Sequence, residues 1–371
     1  MRSTALRPEA APTVSTAYLR EVVNAMELDG ALVEAALVAA GIAPDLIERP
    51  AARITELQLA TLYRWLAVRC DDEMLRLFSR PLRPGSLKFT CLGLLEARDL
   101  RTALHRWSVI LRLLQDDFRL DVDRADAEAW IAIVEEPHRP PCKPVALDLM
   151  LKLIHGVASW LIDRRIPLLG VDFSFAAPAA GATDFAALYP GPVAYDMPRC
   201  ALRLASSYLD QPIRRSRSDI PAFLRRAPED WLFVPFSEPR LEQRLRAHVA
   251  SRLPLPSTAQ GAACALHLSV RTLHRRLAQE GTSLQRVKDQ LRRDVAIQRL
   301  TGSQESIAAI AAQLGFDGPA SFHRAFKGWT GSTPGAYRSV SALDGRSKAS
   351  SGEAGAAPLS SSYARSAHRA P

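Results

Sequence analysis

The segment GFDGPASFHRAFKGWTGSTPGAYR, residues 315–338, decides the fold of the C-terminal third of this chain. Its aromatic residues recur at helical spacing and predict a helix with one buried face: Phe322, Phe326 and Trp329. Pro319 suits the first turn of that helix, and Gly315 lets the chain turn after a preceding short helix over 307–314. Two short helices joined by a tight turn are typical of a helix-turn-helix unit.

The same pattern occurs once more upstream. Ser257 and Gln260 have the spacing of a capping box at the start of a short helix, and Ser269 can cap a second helix. Between the two units, apolar residues at helical spacing predict a linker helix of about 17 residues over 284–300, roughly 25 Å long. Residues 237–340 are therefore predicted to form an all-α domain with two helix-turn-helix units joined by a linker helix.

Positive charge is concentrated in the same region. The whole chain of 371 residues has a formal net charge of +9, from 48 basic and 39 acidic residues. Residues 1–237 hold 29 basic and 30 acidic residues, whereas residues 238–340 hold 15 and 7. A basic domain beside a neutral one favours a polyanionic partner, most often nucleic acid, although charge alone is equally compatible with a solvated surface.

Two recognition helices on a rigid spacer fit duplex DNA. A helix fits the major groove, and successive grooves on one face of the duplex lie about 34 Å apart. One chain can then read two adjacent half-sites. The first predicted recognition helix carries several arginines, which can bond guanine bidentately, while other Lys and Arg side chains meet phosphates.

The motifs of this region resemble those of the AraC/XylS family of bacterial transcription regulators. Residues 315–338 resemble that family's C-terminal signature, and SVRTLHRRLAQEG, residues 269–281, resembles its first recognition helix. Further upstream, the Gly41-Ile42 pair, the Cys70-Asp71-Asp72 sequence and residues 202–212 are similar to the family's arabinose-binding type of sensor domain. The resemblance implies a DNA-binding transcription regulator, here expected to be an activator, that responds to a small-molecule effector.

By position, the resemblance implies which side chains face the groove. The implied base contacts are Arg271, His274 and Arg275 in the first unit and Ser321, His323 and Arg324 in the second, with Ala320 on the same side. The phosphate candidates are Arg276, Arg292, Arg293 and Lys327. The chain departs from the family pattern at Gly318-Pro319-Ala320, because Pro and Ala offer no side-chain donors. The first unit is therefore predicted to carry more of the sequence reading.

Upstream of this domain the pattern is mixed. Helical spacing predicts two short helices within 18–38, interrupted at Gly30, and further helices over 55–68, 99–114 and 145–164. Extended patterns predict strands over 118–122, 129–134 and 169–175 and two extended pieces around Pro198 within 193–204. The fold class is mainly α, with an α+β N-terminal domain before the all-α DNA-binding domain. The predicted divisions are an N-terminal extension (1–15), an effector-sensing or dimerisation domain (16–210), a linker (211–236), the DNA-binding domain (237–340) and a disordered tail (341–371).

Two other classes of function remain open. One is an enzyme, such as a DNA-repair alkyl transferase, with an appended DNA-binding domain. Five scattered cysteines, with no Cys-x-x-Cys pair, phosphate loop or nucleophile elbow, speak against it, so no catalytic residue, cofactor or metal is expected. Cys142, near Arg139 and Lys143, is the candidate reactive thiol, and His105 and His155 are expected to be packed core histidines. The other is a non-specific architectural DNA protein.

The expected partners follow from the leading hypothesis. They are double-stranded DNA, RNA polymerase and a small-molecule effector, and a second copy of the chain is a further candidate. The longest apolar stretch, 145–162, contains Asp148, Lys152 and His155, so no membrane span is expected. The N-terminus has no apolar signal core, and a cytoplasmic location is expected.

Overall fold

The computed structural model describes residues 13–49, 51–177, 189, 192–233, 241–279 and 282–338. Within them, the chain forms two compact units, each assembled from separate stretches of sequence. Unit 1 combines residues 13–20 and 37–59 with those from 241 onward, and unit 2 combines residues 21–36 with 60–233. The predicted tail and residues 1–12 of the predicted extension lie outside the described residues.

The elements agree with the predicted fold class, a sheet-containing N-terminal region followed by a helical C-terminal region. The helices are α1 (Thr16–Ala25), α2 (Gly30–Ala39), α3 (Glu56–Cys70), α4 (Ser86–Leu94), α5 (Leu100–Leu114), α6 (Pro144–Leu161), α7 (Ile220–Arg226), α8 (Glu229–Leu232), α9 (Leu241–Arg252), α10 (Ala259–Ala265), α11 (Val270–Gln279), α12 (Leu284–Gly302), α13 (Ile307–Gln313) and α14 (Pro319–Thr330). The strands are β1 (Thr13–Ser15), β2 (Arg53–Thr55), β3 (Phe118–Ala125), β4 (Glu128–Glu135), β5 (Leu168–Asp172), β6 (Val193–Ala194) and β7 (Cys200–Ala205).

Unit 2 is built on a five-stranded sheet with strand order β3-β4-β7-β5-β6. The predicted hairpin is present: β3 and β4 pair antiparallel from Phe118 opposite Glu135 to Ala125 opposite Glu128. Ala129, Ile131 and Ile133 on one face of β4 are buried, and Ala132 on the other face is buried as well. Helix α5, capped by Asp99 through the Thr102 amide at 2.8 Å, contacts β3, and α6 contacts β7. The helices thus cover the apolar part of the sheet.

Helix α6 is the central helix of unit 2 and is buried along almost its whole length. It is the one helix among the described residues that is long and apolar enough to cross a membrane, and 89% of it is buried inside the protein. Four polar residues form a stripe along it: Asp148, Lys152, His155 and Ser159. His155 Nε2 forms a hydrogen bond with the Ile166 carbonyl oxygen at 2.8 Å. Burial lowers the pKa of the His155 imidazole to about 4. His105, by contrast, is exposed on α5 and not packed in the core as predicted.

The segment predicted as a linker, 211–236, is instead folded over most of its described length. Helices α7 and α8 bury their apolar side chains: Ile220, Phe223, Leu224, Trp231 and Leu232. Phe223 stacks on Trp160 at 4.6 Å between ring centroids, and Trp231 lies against Gly156 of α6. Prolines and arginines dominate the composition of this segment, but apolar residues at helical spacing decide its structure.

The Cys70-Asp71-Asp72 sequence leads into a tight loop. The buried carboxylate of Asp72 accepts hydrogen bonds from the backbone amides of Met74, Arg76 and Leu82 at 2.8 to 2.9 Å. Glu73 in turn accepts from the amides of Gly85 and Leu87 at the start of α4, both at 2.7 Å. The motif therefore shapes the connection between α3 and α4, because its side chains replace water as partners of the loop amides.

Unit 1 contains more than the predicted DNA-binding domain. Strands β1 and β2 pair antiparallel, and β2 contacts α12. Three N-terminal residues belong to the same buried apolar cluster as the C-terminal helices: Ala43, Leu46 and Ala52. The backbone amide of Arg53 donates to the Tyr337 hydroxyl at 3.0 Å, and Arg49 donates to Ser332 at 2.9 Å. The range predicted as one domain, 16–210, thus contributes residues 37–59 to the unit that holds the C-terminal helices.

A buried carboxylate, Asp294 of α12, joins the parts of unit 1. It accepts a hydrogen bond from the Thr13 hydroxyl at 2.6 Å and pairs with Arg246 at 2.8 Å and Arg293 at 3.0 Å. Arg53 donates to the same Thr13 hydroxyl at 2.8 Å. Burial alone raises the pKa of Asp294, but the three arginines and the hydroxyl outweigh burial and hold the pKa below its ordinary value. The buried carboxylate of Asp294 therefore holds β1, α9 and α12 together.

The contact between α6 and α8 predicts a steric requirement at Gly156. A Cβ atom added there would lie 2.3 Å from the Trp231 Cβ and 2.4 Å from its Cα, so the helices must move apart. We expect Gly156→Ala to lower the free energy of unfolding by about 1 to 3 kcal/mol, the usual effect of overpacking. Thermal unfolding of the full chain measures this. The control is Gly30→Ala in α2, where nothing lies within 4 Å; equal melting temperatures for both variants would contradict the prediction.

A second prediction concerns pH. Burial raises the pKa of Glu56 to about 7, with Arg246 opposing the shift and Asp294 reinforcing it. Because the folded state holds this proton more tightly, Glu56 stabilises unit 1 fully below its ordinary pKa and loses that effect as pH rises towards 7. We expect Glu56→Gln to stabilise unit 1 at pH 8 by about 1 to 2 kcal/mol, a value discounted for partial exposure, and to change little at pH 5.

Native-state hydrogen exchange of the unit 1 amides measures this opening free energy. Glu48→Gln, at an exposed position of the same unit, is the matched control. Identical pH dependence in the wild type and Glu56→Gln would show that Glu56 does not titrate as expected.

Candidate nucleic-acid interface

The first helix pair, α10 and α11, presents a basic surface. The Thr258 hydroxyl accepts from the Gly261 amide at 3.0 Å, so the helix cap lies one residue after the predicted Ser257. Ser269 caps α11 as predicted, through the Thr272 amide at 3.1 Å. Leu273 and Leu277 are completely buried. The opposite face of α11 exposes four donors: Arg271, His274, Arg275 and Arg276.

The second pair, α13 and α14, has the same order of elements but fewer donors. Gly315 between them has φ +75°, and a Cβ there would lie 2.4 Å from the Pro254 carbonyl oxygen, so only glycine fits this turn. The exposed face of α14 carries Ala320, His323, Arg324 and Lys327. Ser321 is half-buried and its hydroxyl donates to the Gly318 carbonyl at 2.8 Å, so the helix start already uses it.

The two predicted phosphate candidates on the linker helix α12 have partners within unit 1. Arg293 is 17% exposed and forms an ion pair with Asp294. The Arg292 guanidinium lies over the Phe316 ring at 5.5 Å and near Gly315, where it braces α12 against the turn of the second pair. Both side chains therefore position the helices. Arg276 and Lys327 differ from them, because both are exposed.

The exposed faces of α11 and α14 both carry positive charge and no negative charge. Neither α11 nor α14 contains an acidic residue, so no neighbour on the same helix neutralises their arginines. Arginine presents a planar fork of donors that matches the edge of guanine or a phosphate. These faces can therefore bind a polyanion and also distinguish base edges.

Sequence patterns did not reveal the residues that position this surface. Asp294 and Arg246 bring β1 and α9 against α12, and Thr13 lies far away along the chain. A usable signal was present: Asp294 falls on the apolar stripe of α12, three residues after Leu291 and seven after Val287. A carboxylate at a core position requires buried partners, although the sequence does not say which.

Two observations on the described residues concern the candidate metal and thiol chemistry. Among the described residues, no group of three or more His, Cys, Asp and Glu side chains comes together to hold a metal ion. Burial raises the pKa of Cys142 to about 12, and Glu135 and Asp117 add to the shift. The nearby cations had favoured a reactive thiolate there, but the acidic neighbours reverse the effect, so Cys142 stays a thiol.

Comparison with known proteins gives two family matches. Residues 30–213 match the arabinose-binding domain at the N-terminus of AraC transcription regulators, and residues 262–339 match a helix-turn-helix domain. The chain is 25% identical to the ornithine utilization regulator of Pseudomonas aeruginosa over 329 residues, which cover 88% of this chain and 97% of that protein.

Two further likenesses are more limited. The HTH-type transcriptional regulator VqsM of the same organism is 37% identical over 73 residues, 20% of this chain and 22% of that protein. The crystal structure of the Pseudomonas aeruginosa regulator CdpR aligns with 83% of this chain and 96% of its own, at 20% identity and a TM-score of 0.30. The matches at both ends of the chain agree with its motifs: this chain belongs to the AraC/XylS family, as a DNA-binding transcription regulator with a ligand-binding N-terminal domain.

Proposed function

We propose that this regulator reads its operator with two helix-turn-helix units, α10–α11 and α13–α14, held at a fixed spacing by α12. The observation that carries this proposal is the presence of two exposed, acid-free helix faces, on α11 and α14, in one unit. α12 has 19 residues and is about 28 Å long, a length that suits recognition helices placed in successive major grooves.

In this proposal the base contacts are unequal between the units. Arg271, His274 and Arg275 of α11 read base edges in the first half-site. His323 and Arg324 of α14 read the second, and Ser321 contributes little because its hydroxyl is bonded to Gly318. Arg276 and Lys327 bind phosphates, while Arg292 and Arg293 keep the helices in place. The first unit therefore supplies most of the sequence specificity.

The effector belongs to the same proposal. A ligand changes DNA binding only if it binds two states of the protein with different affinity. One relative is named for ornithine utilization, which makes ornithine the first effector to test. Activation through RNA polymerase, formation of a homodimer and a cytoplasmic location stay predictions.

The function is tested by recovering DNA fragments bound to the full chain in cells and measuring affinity for a recovered site and for a scrambled one. A sequence-specific regulator requires a specificity ratio of about 10³ or more. A specificity ratio near one would favour a non-specific architectural DNA protein. Chemical change of alkylated DNA during incubation would favour the DNA-repair enzyme and count against a protein that only binds.

Mutations separate base readout from phosphate binding. We expect Arg275→Ala to weaken binding at the specific site by about 1 to 3 kcal/mol and to relax preference at one or two base pairs, and His323→Ala to have a smaller effect. Lys327→Ala is the matched phosphate variant: it should weaken all sequences alike and reduce the salt slope by about one. Equal loss of specificity from Arg275→Ala and His323→Ala, measured by competition binding, would refute the ranking of the units.

A further inference from the structure

Two neighbouring helices of unit 2, α4 and α5, expose large apolar side chains. Phe89 of α4 is 68% exposed, and Val109 and Leu113 of α5 are 50% and 69% exposed. Both helices bury their other side inside unit 2. The three exposed side chains therefore lie on the outer side of the unit. Exposed apolar residues that are contiguous typically mark a surface that binds a partner.

The three side chains lie close together because α4 and α5 touch beside them. A Cβ atom added at Gly93 of α4 would lie 2.9 Å from the Ile110 Cδ1 atom of α5, so the helices are in contact there. Phe89 precedes Gly93 by four residues, and Val109 and Leu113 lie one residue before and three residues after Ile110. Each is thus within about 6 Å of the contact, measured along the axis of its helix. They form one apolar patch across the two helices.

Positive charge accompanies this patch. The Lys88 ammonium lies 5.9 Å from the centre of the Phe89 ring, and Arg112 adjoins Leu113. α4 and α5 contain no acidic residue. Among the described residues, none of the basic side chains of the two helices forms an ion pair: Lys88, Arg101, Arg106 and Arg112. The apolar patch therefore has a basic rim whose charges are not compensated by carboxylates of unit 2.

The pairing of nearby residues indicates that this excess of positive charge is local. In the loop between α4 and α5, Glu96 pairs with Arg217 at 3.0 Å and Asp99 pairs with Arg98 at 2.9 Å. These carboxylates thus compensate arginines outside the two helices. Residues 1–237 as a whole hold 29 basic and 30 acidic residues, so the basic rim belongs to a nearly neutral region.

The charges of the rim decide among the candidate occupants of the patch. A second copy that presents the same face would bring two basic rims together, which opposes association. Residues 341–371 hold 4 basic and 2 acidic residues, so they are not complementary either. A DNA backbone would match the charge but would leave the apolar side chains without an apolar partner. An acidic amphipathic helix offers an apolar stripe together with carboxylates on its flanks.

We propose that the outer face of α4 and α5 is a docking surface for an acidic amphipathic helix of another protein. The apolar stripe of that helix packs on Phe89, Val109 and Leu113, and its carboxylates pair with Lys88 and Arg112. The contact gives unit 2 a protein partner, which goes beyond the binding of DNA and effector. It does not depend on which operator or effector the regulator binds.

The first experiment measures binding of the full chain to a synthetic peptide of about 20 residues, long enough to form an amphipathic helix. The peptide carries Leu at helical spacing on one face and Glu and Ala on the others, and fluorescence anisotropy reports a dissociation constant expected at about 100 μM or lower. One control peptide has Lys in place of each Glu, and another has the same composition in scrambled order. Each should bind at least about tenfold more weakly. No binding of the acidic peptide, or equal binding of either control, would overturn the proposal.

Two pairs of substitutions locate the surface. Phe89→Ser with Leu113→Ser removes apolar contacts, and Lys88→Glu with Arg112→Glu reverses two charges of the rim. Each double variant should weaken binding of the acidic peptide by about tenfold or more, and the charge-reversed variant should gain affinity for the Lys peptide. All four side chains are exposed or half-exposed, and the melting temperature of each variant reports folding. Unchanged peptide affinity in the folded variants would refute this location.

The matched control is Arg69→Glu with Arg164→Glu. It makes the same change in charge at exposed residues of unit 2 outside α4 and α5. Peptide affinity should change by less than about twofold, because salt screens exposed charges that do not touch the peptide. A loss equal to that of the rim variant would show attraction by net charge alone and would count against a docking surface.

Two further measurements test the other occupants. Binding to vesicles of phosphatidylglycerol and phosphatidylcholine tests an anionic membrane, and sedimentation equilibrium of the full chain tests a second copy. Vesicle binding or a dimer that is lost in the α4–α5 variants, together with no binding of the acidic peptide, would assign the surface to that occupant and reject the proposal.

Crosslinking in cells identifies the natural partner. A photoreactive residue at position 109, in place of Val109, should crosslink to another protein, within a segment that has acidic residues and apolar residues at helical spacing. The Lys88→Glu and Arg112→Glu substitutions should abolish that crosslink. No crosslink, or crosslinks only to a second copy of the chain, to lipid or to DNA, would contradict the proposal.

Discussion

The arrangement of unit 1 depends on the burial of one negative charge, Asp294. A carboxylate in a helix interior is tolerated only when it is paired and hydrogen-bonded, and here the partners come from β1, α9 and α12 itself. Removal of one partner leaves a buried charge with less compensation, so these elements hold their positions together. The long helix that separates the two helix pairs is thereby fixed against a strand from the start of the chain. The position of α12 relative to β1 and α9 follows from that constraint.

The spacing of apolar residues was sufficient to predict those elements that bury one face. The hairpin β3–β4, the helices α5 and α6 and the exposed face of α11 were predicted because spacing along the sequence decides them. Helices α7 and α8 were not, since their composition is typical of a linker. Their apolar side chains pack on α6, where Phe223 stacks on Trp160 and Trp231 contacts Gly156. The pairing of β1 with β2 and their place in unit 1 depend on contacts between distant residues, which no local pattern encodes. The ion pair of Arg293 with Asp294 was likewise not predicted.

Unit 2 uses a different solution for its buried charges. Helix α6 is the core of the unit, yet a polar stripe runs along it. His155 and Ser159 satisfy the backbone at Ile166 and fix the chain that enters β5. Asp148 and Lys152 satisfy each other beneath Tyr189 instead. Half of the stripe therefore fixes the chain that enters β5, and the other half forms an ion pair inside the unit.

The pairing of Thr13 with Asp294 also affects the order in which the protein can assemble during synthesis. The two residues are 281 positions apart, and a ribosome that adds about 5 to 20 residues per second needs roughly 15 to 60 s to make the chain between them. All described residues of unit 2 are translated before the C-terminal helices of unit 1. Unit 2 can therefore begin to fold on the nascent chain before Thr13 of β1 meets Asp294. The DNA-binding surface is completed last, so an unfinished regulator cannot occupy its operator.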